Sequence, residues 1–193
     1  MTFKLIAAMC PNGGIGYKGG LPWPHNKADM AQFAKRTTGA GNNAIIMGAK
    51  TWDSIPARPL RNRANLILSS HPPETRETPA THQTRAEHWF RTMPDLFAHL
   101  EAAEYDEAWI IGGASIYAQF LAMHATGEIH IDEMCVTTME GQFECDTFIP
   151  LQLLHRVGWS CTIHHAFHFG NNVLIHIDNV FLKKIVQEHH DVV

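Results

Sequence analysis

Trp109-Ile110-Ile111-Gly112-Gly113-Ala114-Ser115-Ile116-Tyr117-Ala118-Gln119-Phe120-Leu121 is the stretch that decides how this chain folds. An apolar run suited to a buried strand stops at two residues without side chains, and a helical pattern begins at once. Such a junction lets backbone approach a ligand closely and aims free helix N–H groups at an anion. Glycine also serves ordinary strand-to-helix turns, so the pair takes its meaning from what surrounds it.

Working outward, strand-like runs fall at residues 3–9, 44–47, 65–69, 108–111 and 128–134. They are apolar at consecutive positions, as strands covered on both faces are. Helical segments lie between them. Residues 28–37 put Met30, Phe33, Ala34 and Thr37 on one face, and residues 93–103 group Met93, Leu96, Phe97 and Leu100, with Pro94 suited to a first turn. Two extended runs, 159–168 and 173–182, flank Phe169-Gly170-Asn171-Asn172 and read as a hairpin. The pattern predicts an α/β fold: a mostly parallel central sheet, a C-terminal antiparallel hairpin, and helices on both faces. Residues 71–85 read as a surface loop. No linker divides the chain, so residues 1–193 form a single domain with a frayed tail at 187–193.

The totals agree. A chain of 193 residues, 45% hydrophobic and 18% charged, can bury a full core. A net charge of −4 argues against nucleic acid as the main partner. Cys10, Cys135, Cys145 and Cys161 form no CxxC pair, which favours reduced thiols and a cytoplasmic setting over a disulfide framework or zinc knuckle. The first nine residues read as a strand rather than a signal peptide, and no apolar stretch is long enough to span a membrane. His164, His165, His168, His189 and His190 invite a metal reading. Adjacent strand residues point to opposite faces, however, and no acid or cysteine sits at a convincing spacing, so no metal site is expected.

Four further segments carry chemistry. Asp29 lies four positions before Phe33 on its helix, at the edge of the apolar stripe. A first-turn acid complementing the helix dipole is the ordinary explanation. Pro11 to Trp23 holds Gly13, Gly14, Gly16, Gly19 and Gly20, a loop able to rearrange. In Met47-Gly48-Ala49-Lys50-Thr51-Trp52 a strand meets a polar helix start whose N–H groups, hydroxyl and ammonium suit a pyrophosphate, or merely cap the helix. Arg58, Arg61 and Arg63 precede the strand at 65–69, where a solvated turn is the usual reading.

Taken together in this order, Leu21-Pro22-Trp23, Asp29 to Phe33, Gly48 to Trp52, Arg63 and Gly112-Gly113 resemble dihydrofolate reductase, over roughly residues 5–150. The resemblance implies NADPH-dependent reduction of 7,8-dihydrofolate to 5,6,7,8-tetrahydrofolate, by hydride transfer from nicotinamide C4 to pterin C6 with protonation at N5. It makes Asp29 the catalytic acid, with Trp23 holding a water and Leu21 at the tip of a mobile loop. Substrate would meet Ile6, Ala8, Met30, Phe33, Ser54, Ile55, Leu60 and Ile111, and Arg63 would fork onto the glutamate carboxylate. The cofactor would meet Ala8, Ile15, Gly16, Gly48, Ala49, Lys50, Thr51, Leu68, Ser69, Ser70, His71, Arg91, Gly112, Gly113, Ala114, Ser115, Ile116 and Tyr117. The Gly112–Gly113 peptide should be cis, and Asp146 should tether the mobile loop. Antifolates such as methotrexate are expected ligands, and a monomer is the expected state.

Two departures stand out. Many members carry a cation where this chain has Ala49, which leaves the choice between NADPH and NADH open. Where the family usually has a threonine bonded to the active-site acid, alignment places Asp132, although Thr137 or Thr138 would fill the role after a register shift. A facing Asp132 would push one carboxyl pKa up. A pyrimidine reductase of riboflavin synthesis and a non-catalytic folate- or nucleotide-binding protein of the same fold are the alternatives.

Overall fold

A computed structural model of the chain describes residues 1–72, 87–139, 141–156, 159–167 and 177–184, with side chains to Leu153. The elements begin with β1 (Thr2–Met9), β2 (Gly14–Gly16), α1 (Lys27–Thr38), β3 (Ala44–Gly48), α2 (Ala49–Ser54), β4 (Ala64–Leu68) and β5 (Glu87–Phe90). They continue with α3 (Met93–Ala102), β6 (Glu107–Gly112), α4 (Ala114–Thr126), β7 (Ile131–Met139), β8 (Thr147–Phe148), α5 (Leu151–Arg156), β9 (Trp159–Phe167) and β10 (Ile177–Lys184). Most of the expected loop at 71–85, the hairpin turn, His168, His189, His190 and the tail lie outside the described residues.

The main sheet runs in the order β5-β4-β3-β6-β1-β7-β10-β9. From β5 through β7 every neighbouring pair is parallel, and β10 then pairs antiparallel with both β7 and β9. Ala44, Ile45, Ile46 and Met47 of β3 are all fully buried, which explains why its sequence shows no alternation. One face of the sheet packs Leu5, Ile46, Leu66 and Ile110 against Leu96 and Leu100 of α3 and Ile116, Phe120 and Leu121 of α4. The other packs Ile45, Met47, Ile67 and Trp109 against Trp52 of α2. Helix α1 lies on this second side too, where Arg36 reaches Glu133 of β7 at 3.3 Å.

The helix ends follow local chemistry. Asn26 caps α1, its side-chain oxygen accepting from the N–H groups of Ala28 and Asp29. Thr92 caps α3 in the same way through Asp95 N–H, with proline in the first turn. Gly127 ends α4 in the left-handed conformation at φ 81°.

Three differences from the sequence reading matter. β7 starts at Ile131 and runs to Met139 instead of ending at Met134, because β1 offers it partners as far as Met9. β5 is an extra edge strand, Glu-His-Trp-Phe, for which the sequence reading assigned no element. β2 and β8 pair as a separate two-stranded ribbon that anchors the glycine loop.

Candidate active site

The cleft is built at the carboxyl ends of β1, β3, β6 and β7, where α1, α2 and α4 begin or cross. Register sets its floor. Ile6 of β1 lies beside Cys135 and Ala8 beside Thr137 of β7, and Met47 at the end of β3 lies beside Gly112 of β6. α1 brings Asp29 to this floor. The Asn26 cap fixes where the first turn starts, and so which way the Asp29 carboxylate points.

Thr137, buried on β7, donates its hydroxyl hydrogen bond to the Asp29 carboxylate. Asp132 is exposed, 3.9 Å from His130, and does not face Asp29. The pairing of β1 with β7 makes the choice: Asp132 and Thr137 are five positions apart on the strand, and Thr137 is the one level with Ala8. Burial raises the pKa of Asp29 above its ordinary carboxylate value, and the bond from Thr137 pulls the other way. The negative charge is felt nearby. It adds to burial in raising the pKa of Tyr117, whose hydroxyl donates to the Ile6 carbonyl at 2.8 Å.

Arg63 occupies the far end of the same wall. Its guanidinium carbon sits 5.6 Å from the centre of the Phe33 ring, and it donates to the Thr37 hydroxyl and, at 3.1 Å, to the Arg61 carbonyl. Thr37 in turn donates to the Phe33 carbonyl at 2.7 Å. Asn65, fully buried, clamps the preceding turn by accepting from Leu60 N–H and donating to the carbonyls of Leu60 and Arg63. Burial lowers the Arg63 pKa, a penalty that an incoming carboxylate would offset. Ile55 and Leu60 pack on the α2 side, while Met30 and Ser54 are exposed, Ser54 donating to the Thr51 carbonyl.

The Gly112–Gly113 peptide is cis. A Cβ on Gly112 would come 2.7 Å from the Tyr117 ring, and one on Gly113 would come 3.2 Å from the Thr51 hydroxyl. The start of α4 is thereby drawn against the start of α2, and neither helix has a side-chain cap. Their first N–H groups are therefore open to a ligand. Ala49, Ala114 and Ser115 sit on these two helix starts with Lys50, which is exposed, whereas the Ile116 side chain is core. At the end of β4, Ser69 N–H donates to the Phe90 carbonyl, which brings Ser69 and Ser70 beside Arg91 after β5. Leu68 ends β4 partly buried, and His71 N–H donates to the Ser69 hydroxyl.

The glycine loop leaves the carboxyl end of β1, beside this floor. Ile15 and Gly16 belong to β2, and Leu21 is an apolar side chain 55% exposed. Asp146 holds the loop from below, its carboxylate accepting from Lys18 N–H at 2.7 Å and its own N–H donating to the Gly16 carbonyl. Trp23 is buried, with Phe143 edge-on at 6.2 Å between ring centres. Sequence reasoning missed Phe143, Asn26 and Asn65. An Asn three residues before an acid is a cap signal, and it was available for Asn26. Phe143 and Asn65 act through contacts that no local pattern encodes. Among the described residues no group of three or more His, Cys, Asp or Glu could hold a metal ion, and no helix is long and apolar enough to cross a membrane.

A mostly parallel sheet, two adjacent helix starts without side-chain caps, and one half-buried acid on an apolar wall define an α/β protein with a candidate active site at the carboxyl ends of its central strands. The dihydrofolate reductase family model matches residues 2–180. The chain is 35% identical over 157 residues to a dihydrofolate reductase of Heliothis virescens, covering 78% of this chain and 80% of the relative. It is 36% identical over 156 residues to that of Mus musculus, covering 75% and 76%. A viral dihydrofolate reductase of Saimiriine herpesvirus 2 is 37% identical over 159 residues, 78% of this chain and 69% of the relative. The chain belongs to the dihydrofolate reductase family of enzymes.

Proposed function

We propose that the chain reduces 7,8-dihydrofolate to 5,6,7,8-tetrahydrofolate with NADPH. The observation that carries this reading is Asp29, a half-buried carboxylate with a raised pKa, bonded to Thr137 beside the Ile6–Ala8 floor. Its two oxygens suit the amino-pyrimidine edge of a pterin, and a carboxylate so oriented favours a proton at N5, relayed through a water beside Trp23. Phe33 and Ile111 flank the ring, and Arg63 takes the glutamate carboxylate.

The residues present fit a dinucleotide. Gly112 and Gly113 leave backbone where side chains would fill the floor, and the uncapped starts of α2 and α4 face one another across Thr51. NADPH, when bound, supplies the hydride delivered to pterin C6. Thr51 and Lys50 hold the pyrophosphate, and Ser69, Ser70 and Arg91 hold the 2′-phosphate in place of the cation that Ala49 lacks. Closure of the loop carrying Leu21 excludes water from the reacting atoms. Methotrexate competes for the pterin position.

Absorbance of the reduced cofactor tests the reading. Dihydrofolate should oxidise NADPH faster than NADH, and methotrexate should stop the reaction. Asp29→Asn should lower kcat by about 10²- to 10⁴-fold at neutral pH while sparing NADPH affinity. Retained turnover in that variant would refute the role of Asp29. Cofactor binding without any turnover in the native chain would favour a binding protein.

A further inference from the structure

Two thiols meet beneath the glycine loop, outside the residues that contact substrate or cofactor. The sulfurs of Cys10, just after β1, and Cys145, just before β8, are 3.8 Å apart. Cys10 is buried and Cys145 half-buried. Both are held firmly. Cys10 N–H donates to the Gly14 carbonyl at 2.8 Å, and its own carbonyl accepts from Gly13 N–H at 2.8 Å. The Cys145 thiol lies so close over Gly14 that a Cβ there would come 2.3 Å from its sulfur. The next residue, Asp146, is the tether of Lys18 and Gly16. Cys10, Trp23 and Met139 form one small apolar cluster, with Phe143 and Cys145 packed against it.

We propose that Cys10 and Cys145 are a reversible dithiol–disulfide pair which, when oxidised, ties the segment before β8 to the end of β1 and restrains the glycine loop. A small-molecule disulfide is the oxidant. The more exposed Cys145 loses its proton and attacks one sulfur of that disulfide. The small S–S bond breaks, one small thiolate leaves, and a mixed disulfide forms at Cys145. Cys10 then loses its proton and attacks the Cys145 sulfur, expelling the second small thiolate. Two protein thiols are oxidised, the small disulfide is reduced to two thiols, and two electrons pass between them. Closing the gap to the roughly 2.05 Å of a disulfide requires only side-chain movement of under about 2 Å. Burial and the neighbouring sulfur raise the Cys10 pKa to about 11, so the second step should quicken as pH rises. Cys135 is buried in a different cluster, on the α2 side of the sheet.

The effect on turnover rests on the reductase reading, whereas the linkage and the loop restraint do not. The full chain is incubated with oxidised or reduced glutathione and then alkylated. Peptide mass analysis should find Cys10 joined to Cys145 after oxidation, and dithiothreitol should reverse it. Amide hydrogen exchange over residues 13–20 should slow several-fold in the linked form. In the same form kcat should fall several-fold, with the dihydrofolate KM changed less than twofold. Cys145→Ser, at the less buried position, should keep the reduced-state activity and ignore the oxidant. Alkylation of both cysteines after oxidation, or a link through Cys135 or Cys161, would overturn the pair. A link that leaves hydrogen exchange unchanged would overturn the restraint. Slowed exchange in a chain that turns over in neither state would leave the pair standing and count against the reductase reading.

Discussion

At the scale of single residues, the chemistry turns on which hydroxyl meets Asp29. Asp29 carries a raised pKa because burial outweighs the hydrogen bond from Thr137, which favours the charged carboxylate. The sign follows directly. Between the ordinary carboxyl pKa and the raised one, the folded protein holds a proton that the unfolded chain has lost, so stability falls as pH rises through that interval. Thr137→Val removes the bond that favours the charged form. The Asp29 pKa should therefore rise further, and the alkaline limb of the kcat/KM profile should move to higher pH. Asp132→Thr should leave that limb where it is, since Asp132 faces solvent and His130. A profile that moves with Asp132 and not with Thr137 would reverse the assignment. The place of the acid at the edge of an apolar stripe, four residues before Phe33, was legible from spacing, whereas the role proposed for it came from the family resemblance. Its partner stayed open among Asp132, Thr137 and Thr138, because the register of β7 against β1 decides between them and no local pattern encodes it.

At the scale of elements, legibility followed burial. β3, β4 and β6 announced themselves as continuous apolar runs because both faces are covered. β5 did not, since an edge strand needs no such run, and Glu87 and His88 break its apolar pattern. β2 and β8 are too short for any periodicity to show. The β6–α4 junction was legible because it depends on residues lacking a side chain, and its energetic weight can be measured. Gly112 has φ 102°, and a Cβ there would lie 2.7 Å from the Tyr117 ring. That ring cannot swing aside without giving up the bond from its hydroxyl to the Ile6 carbonyl. Gly112→Ala should thus combine backbone strain with overpacking and cost about 2–4 kcal/mol. Gly127 has φ 81° with no atom within 4 Å of its missing Cβ, so Gly127→Ala meets the backbone cost alone, about 1 kcal/mol. Urea denaturation of the two variants separates the terms. Equal losses would mean that the contact with Tyr117 carries no weight.

At the scale of the whole molecule, the topology gathers distant sequence into one crevice. β6 is inserted between β3 and β1, so the starts of α2 and α4 stand side by side although they are far apart in the chain. A ligand that bridges them also bridges both halves of the sheet, and it should stabilise the fold as a unit. For a ligand that binds only the folded state, a free concentration of about 100 Kd adds about 2.7 kcal/mol. For a domain of 193 residues that corresponds to a rise of roughly 5–11 °C in Tm. NADPH should produce such a rise under conditions where NADH at the same concentration gives a smaller one. On the proposed reading the difference measures what Ser69, Ser70 and Arg91, which β4 and β5 bring together at the sheet edge, give to a 2′-phosphate. Arg91→Ala should shrink it, because Arg91 brings the guanidinium beside those two serines. Equal shifts with NADPH and NADH in the native chain would show that no 2′-phosphate clamp operates there, and that this chain accepts either cofactor.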